Sequence, residues 1–136
     1  MPLWGGYGAL KCALSKPEQY GVCCAFSPAC LFLKEYLDKA VFGEQLKGDF
    51  KAIFGDSLEP NADDEILELA KKANNQPVKP KIYTACGSDD HLQKFNVRFS
   101  HEMKKLDFGF TYEEWTGDHD WYFFNEALKK ALERSL

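Results

Sequence analysis

An α/β fold with a parallel sheet is what this sequence predicts, on three observations. Short apolar runs near 21–26, 81–86 and 110–115 alternate with segments of helical spacing, the pattern of strand–helix–strand units. The first run, GVCCAF, is apolar throughout, as strands covered on both faces are. The chain has 136 residues, 45% of them hydrophobic and 15% aromatic, enough to build the core of one domain spanning 1–136.

The elements follow in order. From Trp4 to Lys16, the small residues Gly5, Gly6, Gly8, Ala9 and Ala13, with Leu10 and Leu14, predict a buried helix that packs closely, ended by Pro17. In the strand at 21–26, Cys23 and Cys24 must point to opposite faces. Residues 29–58 carry Phe32, Leu33, Tyr36, Leu37, Val41, Phe42, Phe50, Ile53 and Phe54, broken by Gly43, Gly48 and Gly55. They read as a helical insertion of short helices and turns.

Asn61–Asn74 reads as one amphipathic helix, with Asp63, Asp64 and Glu65 in the first turn, Lys71 and Lys72 in the last, and Ile66, Leu69, Ala70 and Ala73 along one face. KIYTACG at 81–87 is the second strand, followed by Leu92, Phe95, Phe99, Met103 and Leu106 at helical spacing. FTYEEW at 110–115 is the third strand. A last helix runs from Asp120 to Leu136 through Trp121, Phe124, Leu128, Ala131 and Leu132. Three strands are few for an open sheet and would also suit a small flavodoxin-like layer. No glycine loop of the phosphate-binding kind follows a strand, which argues against a nucleotide module.

Composition narrows the function. The net charge is −4 without a basic stripe, which speaks against a nucleic-acid or anionic-membrane partner. No leader pattern and no membrane-length apolar run is present, so a cytoplasmic location is expected. The five cysteines, Cys12, Cys23, Cys24, Cys30 and Cys86, form no CxxC pair and are expected as free thiols.

In parallel sheets functional groups gather beyond the C-terminal strand ends. Those ends are Ser27–Pro28, Gly87–Asp90 and Thr116–His119. CGSDD and WTGDHD thus bring a carboxylate and an imidazole to neighbouring loops. A carboxylate on one imidazole nitrogen fixes the tautomer and leaves the other nitrogen to take a nucleophile's proton, an arrangement that suits Asp90 and His119. On pattern alone His119 reads equally as a loop histidine whose ring bonds Asp118 or Asp120. Asp89 reads as a turn or capping residue, and His91 and His101 as solvated helix positions. Asp118, His119 and Asp120 are too close in sequence to make a metal site by themselves, and no metal or cofactor is expected.

The stretches GGYGALKCAL (5–14), KAIFG (51–55), KIYTACGSDDHL (81–92) and YEEWTGDHDWYFFNEAL (112–128) resemble the tributyrin-esterase and S-formylglutathione hydrolase (esterase D) branch of the α/β-hydrolases, in its C-terminal half. The resemblance implies a partial α/β-hydrolase fold, a serine esterase acting on short-chain acyl esters, Asp90 as triad acid and His119 as base. It also implies a nucleophile elbow across the start of the sequence. Laying Gly5 and Gly6 on the elbow's paired glycines puts Leu3 at the nucleophile and Trp4 at the next residue, whose backbone N–H serves the oxyanion hole. The strand leading into the elbow and the loop giving the second oxyanion donor have no counterpart among these residues.

The substrate-pocket candidates are Ser27, Phe32 of the insertion, which would serve as acyl pocket or lid, and Trp121. Ser27 and Cys86 lack the strained turn that would make either a replacement nucleophile. Two readings stand side by side. One is a carboxylic ester hydrolase with acid and base but no nucleophile, hence inactive in this form. The other is a non-catalytic fragment or pseudoenzyme that binds or self-associates through an uncovered sheet edge.

Overall fold

Alternating helices and strands assemble in the computed structural model, which describes residues 2–39, 44–55, 57 and 59–136, into one sheet of three parallel strands. Of the residues named above, Val41, Phe42 and Gly43 lie outside the described ones. The strands are β1 (Val22–Phe26), β2 (Lys81–Gly87) and β3 (Phe110–Trp115), side by side in sequence order. Cys23 sits opposite Ile82, and Ile82 opposite Phe110. This is an α/β fold, with each strand within one residue of its sequence expectation.

The helices are α1 (Pro2–Ser15), α2 (Leu33–Lys39), α3 (Glu44–Phe54), α4 (Ile66–Asn74), α5 (Gln93–Met103) and α6 (Trp121–Ser135). Side chains from α1, α4 and α5 pack with Cys23, Ala25 and Ile82 on one face of the sheet. On the other face, among the described residues, α6 supplies the cover, placing Phe123, Phe124, Ala127 and Ala131 on Tyr83 and Ala85. Cys23 and Cys24 do separate to the two faces: Cys23 is in the larger core and Cys24 lies beside the smaller one.

The close packing foreseen for the first helix is real and has one focus. A Cβ at Gly6 would come within 2.8 Å of Pro28, so only glycine lets α1 lie against the loop after β1. The helix starts at Pro2, two residues earlier than the small-residue pattern suggested, since proline is tolerated in a first turn.

Two expectations change. Residues 61–74 are not one helix: a 3-10 turn at Ala62–Asp64 precedes α4, and Glu65 between them is extended. Asp64 is held elsewhere. Its side chain accepts from Lys11 Nζ at 2.6 Å and from the Asn61 N–H at 2.8 Å, while its carbonyl accepts from the Tyr7 hydroxyl at 2.6 Å. Those bonds to α1 keep the turn out of the helix axis. In α6 the buried stripe is Phe123–Phe124–Ala127–Ala131, and Trp121, Leu128 and Leu132 are exposed. Asp120 caps the helix by accepting from the Phe123 N–H at 2.9 Å, and Trp115 stacks on Phe123 with ring centres 4.4 Å apart. The cap and the stack together set which side faces the sheet.

Candidate active site

The loops after β2 and β3 meet backbone to backbone. Ser88 N–H donates to the Trp115 carbonyl at 3.0 Å and Asp89 N–H to the Gly117 carbonyl at 2.9 Å. A Cβ on Gly87 would collide with that same Gly117 carbonyl, so the approach requires a glycine. The two loops therefore carry their side chains to a common place at the carboxyl end of the sheet.

There Asp90 and His119 come together, with Asp90 Oδ2 lying 3.0 Å from His119 Nδ1. Asp90 is buried, and its Oδ1 accepts the Leu92 backbone N–H at 2.8 Å. One carboxylate oxygen is thus fixed by the chain and the other turned to the imidazole. With Asp90 ionised, His119 donates its Nδ1–H, and Nε2 is left as an acceptor. Phe124 packs edge-on against the His119 ring at 5.0 Å.

The flanking aspartates do not hold this ring. Asp118 Oδ1 accepts the His119 backbone N–H at 2.7 Å and Asp120 caps α6, so the ring's hydrogen bond goes to Asp90 and to neither flanking aspartate. Asp89 is exposed in the turn, as its position suggested. His91 differs from expectation: it precedes α5 in a turn, with Nδ1 3.4 Å from Asp90 Oδ1 and its ring 5.7 Å from that of His119. Sequence reasoning passed over His91 and Phe124. The signal available for the first was adjacency to Asp90, and for the second the aromatic run directly after GDHD.

The other candidates scatter. Ser27 is fully buried and, against expectation, does sit in a strained turn, at a positive φ of 45°; its hydroxyl lies 3.8 Å from Cys86 Sγ. Burial pushes the Cys86 thiol up to about 12, with the Asp90 charge adding to it, so neither side chain is poised as a nucleophile. Phe32 belongs to the larger core, with the Arg98 guanidinium over its ring at 3.9 Å. Trp121 is exposed and borders a cleft of about 540 Å³ with Gly5, Gly6, Phe26, Phe124 and Leu128. The N-terminal end of α1 and the wall of the His119 ring share this cleft. Leu3 and Trp4 lie in the first turn of α1, where backbone N–H groups have no partner within the helix. Among the described residues no three His, Cys, Asp or Glu side chains gather as a metal site would need, and no helix is long and apolar enough to cross a membrane.

The model of the Esterase family matches residues 4–135. The chain belongs to that family. An acetyl esterase of Caldicellulosiruptor saccharolyticus is 30% identical over 138 residues, covering 95% of this chain and 50% of the relative. Among solved structures, the S-formylglutathione hydrolase FrmB of Staphylococcus aureus superposes with a TM-score of 0.77 at 24% identity, over 98% of this chain and 51% of that one. FphF, a fluorophosphonate-binding serine hydrolase of Staphylococcus aureus, gives 0.78 at 25% identity with the same shares. This esterase-family chain spans about half the length of the relatives it matches.

Proposed function

We propose that this chain carries the acid and base of a carboxylic ester hydrolase for short-chain acyl esters, Asp90 and His119. The observation that supports this is the pair itself, a backbone-anchored buried carboxylate on His119 Nδ1 with Nε2 unoccupied by it. In such a site Nε2 takes the proton of a nucleophilic hydroxyl as its oxygen bonds to the acyl carbon. That proton passes to the leaving alcohol, and water then releases the acid by the same exchange. Trp4, in the first turn of α1, would offer its N–H to the oxyanion, and Trp121 would line the ester pocket. The substrate is a small-molecule ester and no cofactor takes part. Five free cysteines support a reducing, cytoplasmic setting.

Leu3 favours a second reading for the chain on its own. A leucine at the nucleophile position cannot form an acyl-enzyme, so the separate polypeptide would be catalytically silent. A chimera tests both: the relative's half up to and including the residue aligned with Leu3, followed by residues 4–136 of this chain, assayed on p-nitrophenyl acetate. Turnover is expected in the chimera and not in the chain alone. His119→Ala in the chimera should lower kcat/KM by roughly 10³-fold or more. A folded chimera indifferent to His119→Ala would sink the acid–base assignment, and turnover by the chain alone would sink the silent reading.

A further inference from the structure

We propose that Asn96 is a positioning residue for the Asp90–His119 pair, tying the loop after β1 to the loop after β2 so that the acid keeps its place relative to α1. The inference rests on the acid and base roles proposed above. Asn96 stands four residues after Leu92 and three before Phe99, inside the stripe that α5 buries, and is 1% exposed. An amide buried there costs stability unless its donors are bonded. Both are: Nδ2 donates to the Leu92 carbonyl at 3.0 Å and to the Pro28 carbonyl at 3.3 Å. Carbonyls only accept, so the amide nitrogen must face them and Oδ1 turns away, buried with no partner among the described residues. For packing alone a leucine would avoid that orphan, so the two bonds are what the amide supplies.

Each bond ends on a residue that other contacts already commit. Pro28 lies between Ser27 at φ 45° and Cys30 at φ 58°, both left-handed without being glycine. Such strain persists only where the surroundings over-determine it. Here Ser27 N–H donates to the Ala85 carbonyl at 2.7 Å, α1 lies against Pro28 at Gly6, and Asn96 holds the Pro28 carbonyl. Leu92 is committed in the same way. Its N–H donates to Asp90 Oδ1 at 2.8 Å, while its carbonyl accepts from the Asn96 backbone at 3.1 Å and from the Asn96 side chain.

From α1 the contacts therefore run through Pro28, Asn96 and Leu92 to Asp90, and on to His119 Nδ1. Position matters along this line because α1 carries the proposed oxyanion donor in its first turn, while Asp90 orients the proposed base. A shift of about 1 Å between such groups costs about 10²-fold in rate. Asn96 touches neither substrate nor the reacting atoms; it acts through the two loops it joins.

The test begins with the full chain carrying nitrogen-15 histidine. With the imidazoles neutral, ring nitrogen–proton correlation spectra should show His119 as the Nδ1–H tautomer, which the bond to Asp90 selects. Asn96→Leu, close in size and unable to donate, should move His119 toward the Nε2–H tautomer and speed exchange of the Leu92 amide, with circular dichroism unchanged. Met103→Ala, in the same buried stripe, controls for general loosening and should leave the tautomer as it is. In the chimera, Asn96→Leu should lower kcat about 10-fold or more with KM within about twofold. If Asn96→Leu does not fold, Asn96→Ser takes its place: its hydroxyl can still donate to the Leu92 carbonyl in its own helix, but one donor cannot serve both carbonyls. A tautomer unchanged in both Asn96 variants, or one that Met103→Ala shifts equally, overturns the proposal. So does an unchanged kcat in a chimera that needs His119. A chimera indifferent to His119→Ala, with a tautomer that still follows Asn96, overturns the catalytic reading and supports the positioning of His119 by Asn96.

Discussion

Asp90 and Asp89 are neighbours of identical chemistry with opposite fates. Asp89 is exposed in the turn, while Asp90 is 5% exposed and accepts from both the Leu92 N–H and the His119 ring. The local bond from the Leu92 N–H to Asp90 begins the separation, and the docking of the β3 loop, which brings the His119 ring, completes it. Asp90→Ala leaves a buried N–H without its acceptor and removes the ring's partner, so a loss of about 1–3 kcal/mol is expected. Asp89→Ala should stay within about 0.5 kcal/mol. Urea unfolding of the two variants measures the contrast, and equal losses would show that Asp90 is not the anchored residue of the pair.

The loops at the strand ends are where elements, rather than single residues, decide the site. Gly87 closes β2 against the Gly117 carbonyl, and Gly117 in turn has Phe123 2.8 Å from where its own Cβ would be. Gly87→Ala must push the two loops apart, separating Asp90 from His119. A loss of about 3 kcal/mol or more is expected, since backbone rather than a flexible side chain blocks the methyl group. Gly21→Ala meets nothing within 4 Å and serves as the control. Thermal unfolding of both checks this, and a Gly87→Ala protein as stable as Gly21→Ala would refute the close approach. The strands themselves were readable because each is a bounded apolar or alternating run. The break before α4 was not, because it depends on Asp64 meeting Tyr7 and Lys11, which are more than fifty residues away in sequence. The stripe that α6 buries was misread for a related reason. WYFFNEAL offers an aromatic residue to either side, and the Asp120 cap and the Trp115 stack choose between them.

For the whole molecule, the unequal cover of the sheet governs behaviour that no single element shows. Among the described residues the core on one face is built from several helices and that on the other from α6, so the thiols have unequal surroundings. Cys23, Cys30 and Cys86 are each pushed from 9.0 up to about 12 by burial. Neighbouring Cys24 adds to the effect at Cys23, Glu65 at Cys30 and Asp90 at Cys86. Folding therefore favours their protonated forms. Below pH 9 both folded and unfolded chains keep these protons and the contribution to stability is intact. Above pH 9 the unfolded chain releases them while the folded chain holds them, and the contribution drains away until the folded thiols ionise near pH 12. Each such thiol steepens the loss by at most about 1.4 kcal/mol per pH unit. Tyr7 and Tyr83, also raised from 10.0 by burial, add to the loss above pH 10. Urea-unfolding free energies taken under reducing conditions should thus fall continuously from pH 9 toward 12. Cys23→Ala, compared with its own value at neutral pH, should fall less steeply. A flat profile over that window would mean that these thiols are not held in the protonated state by the fold.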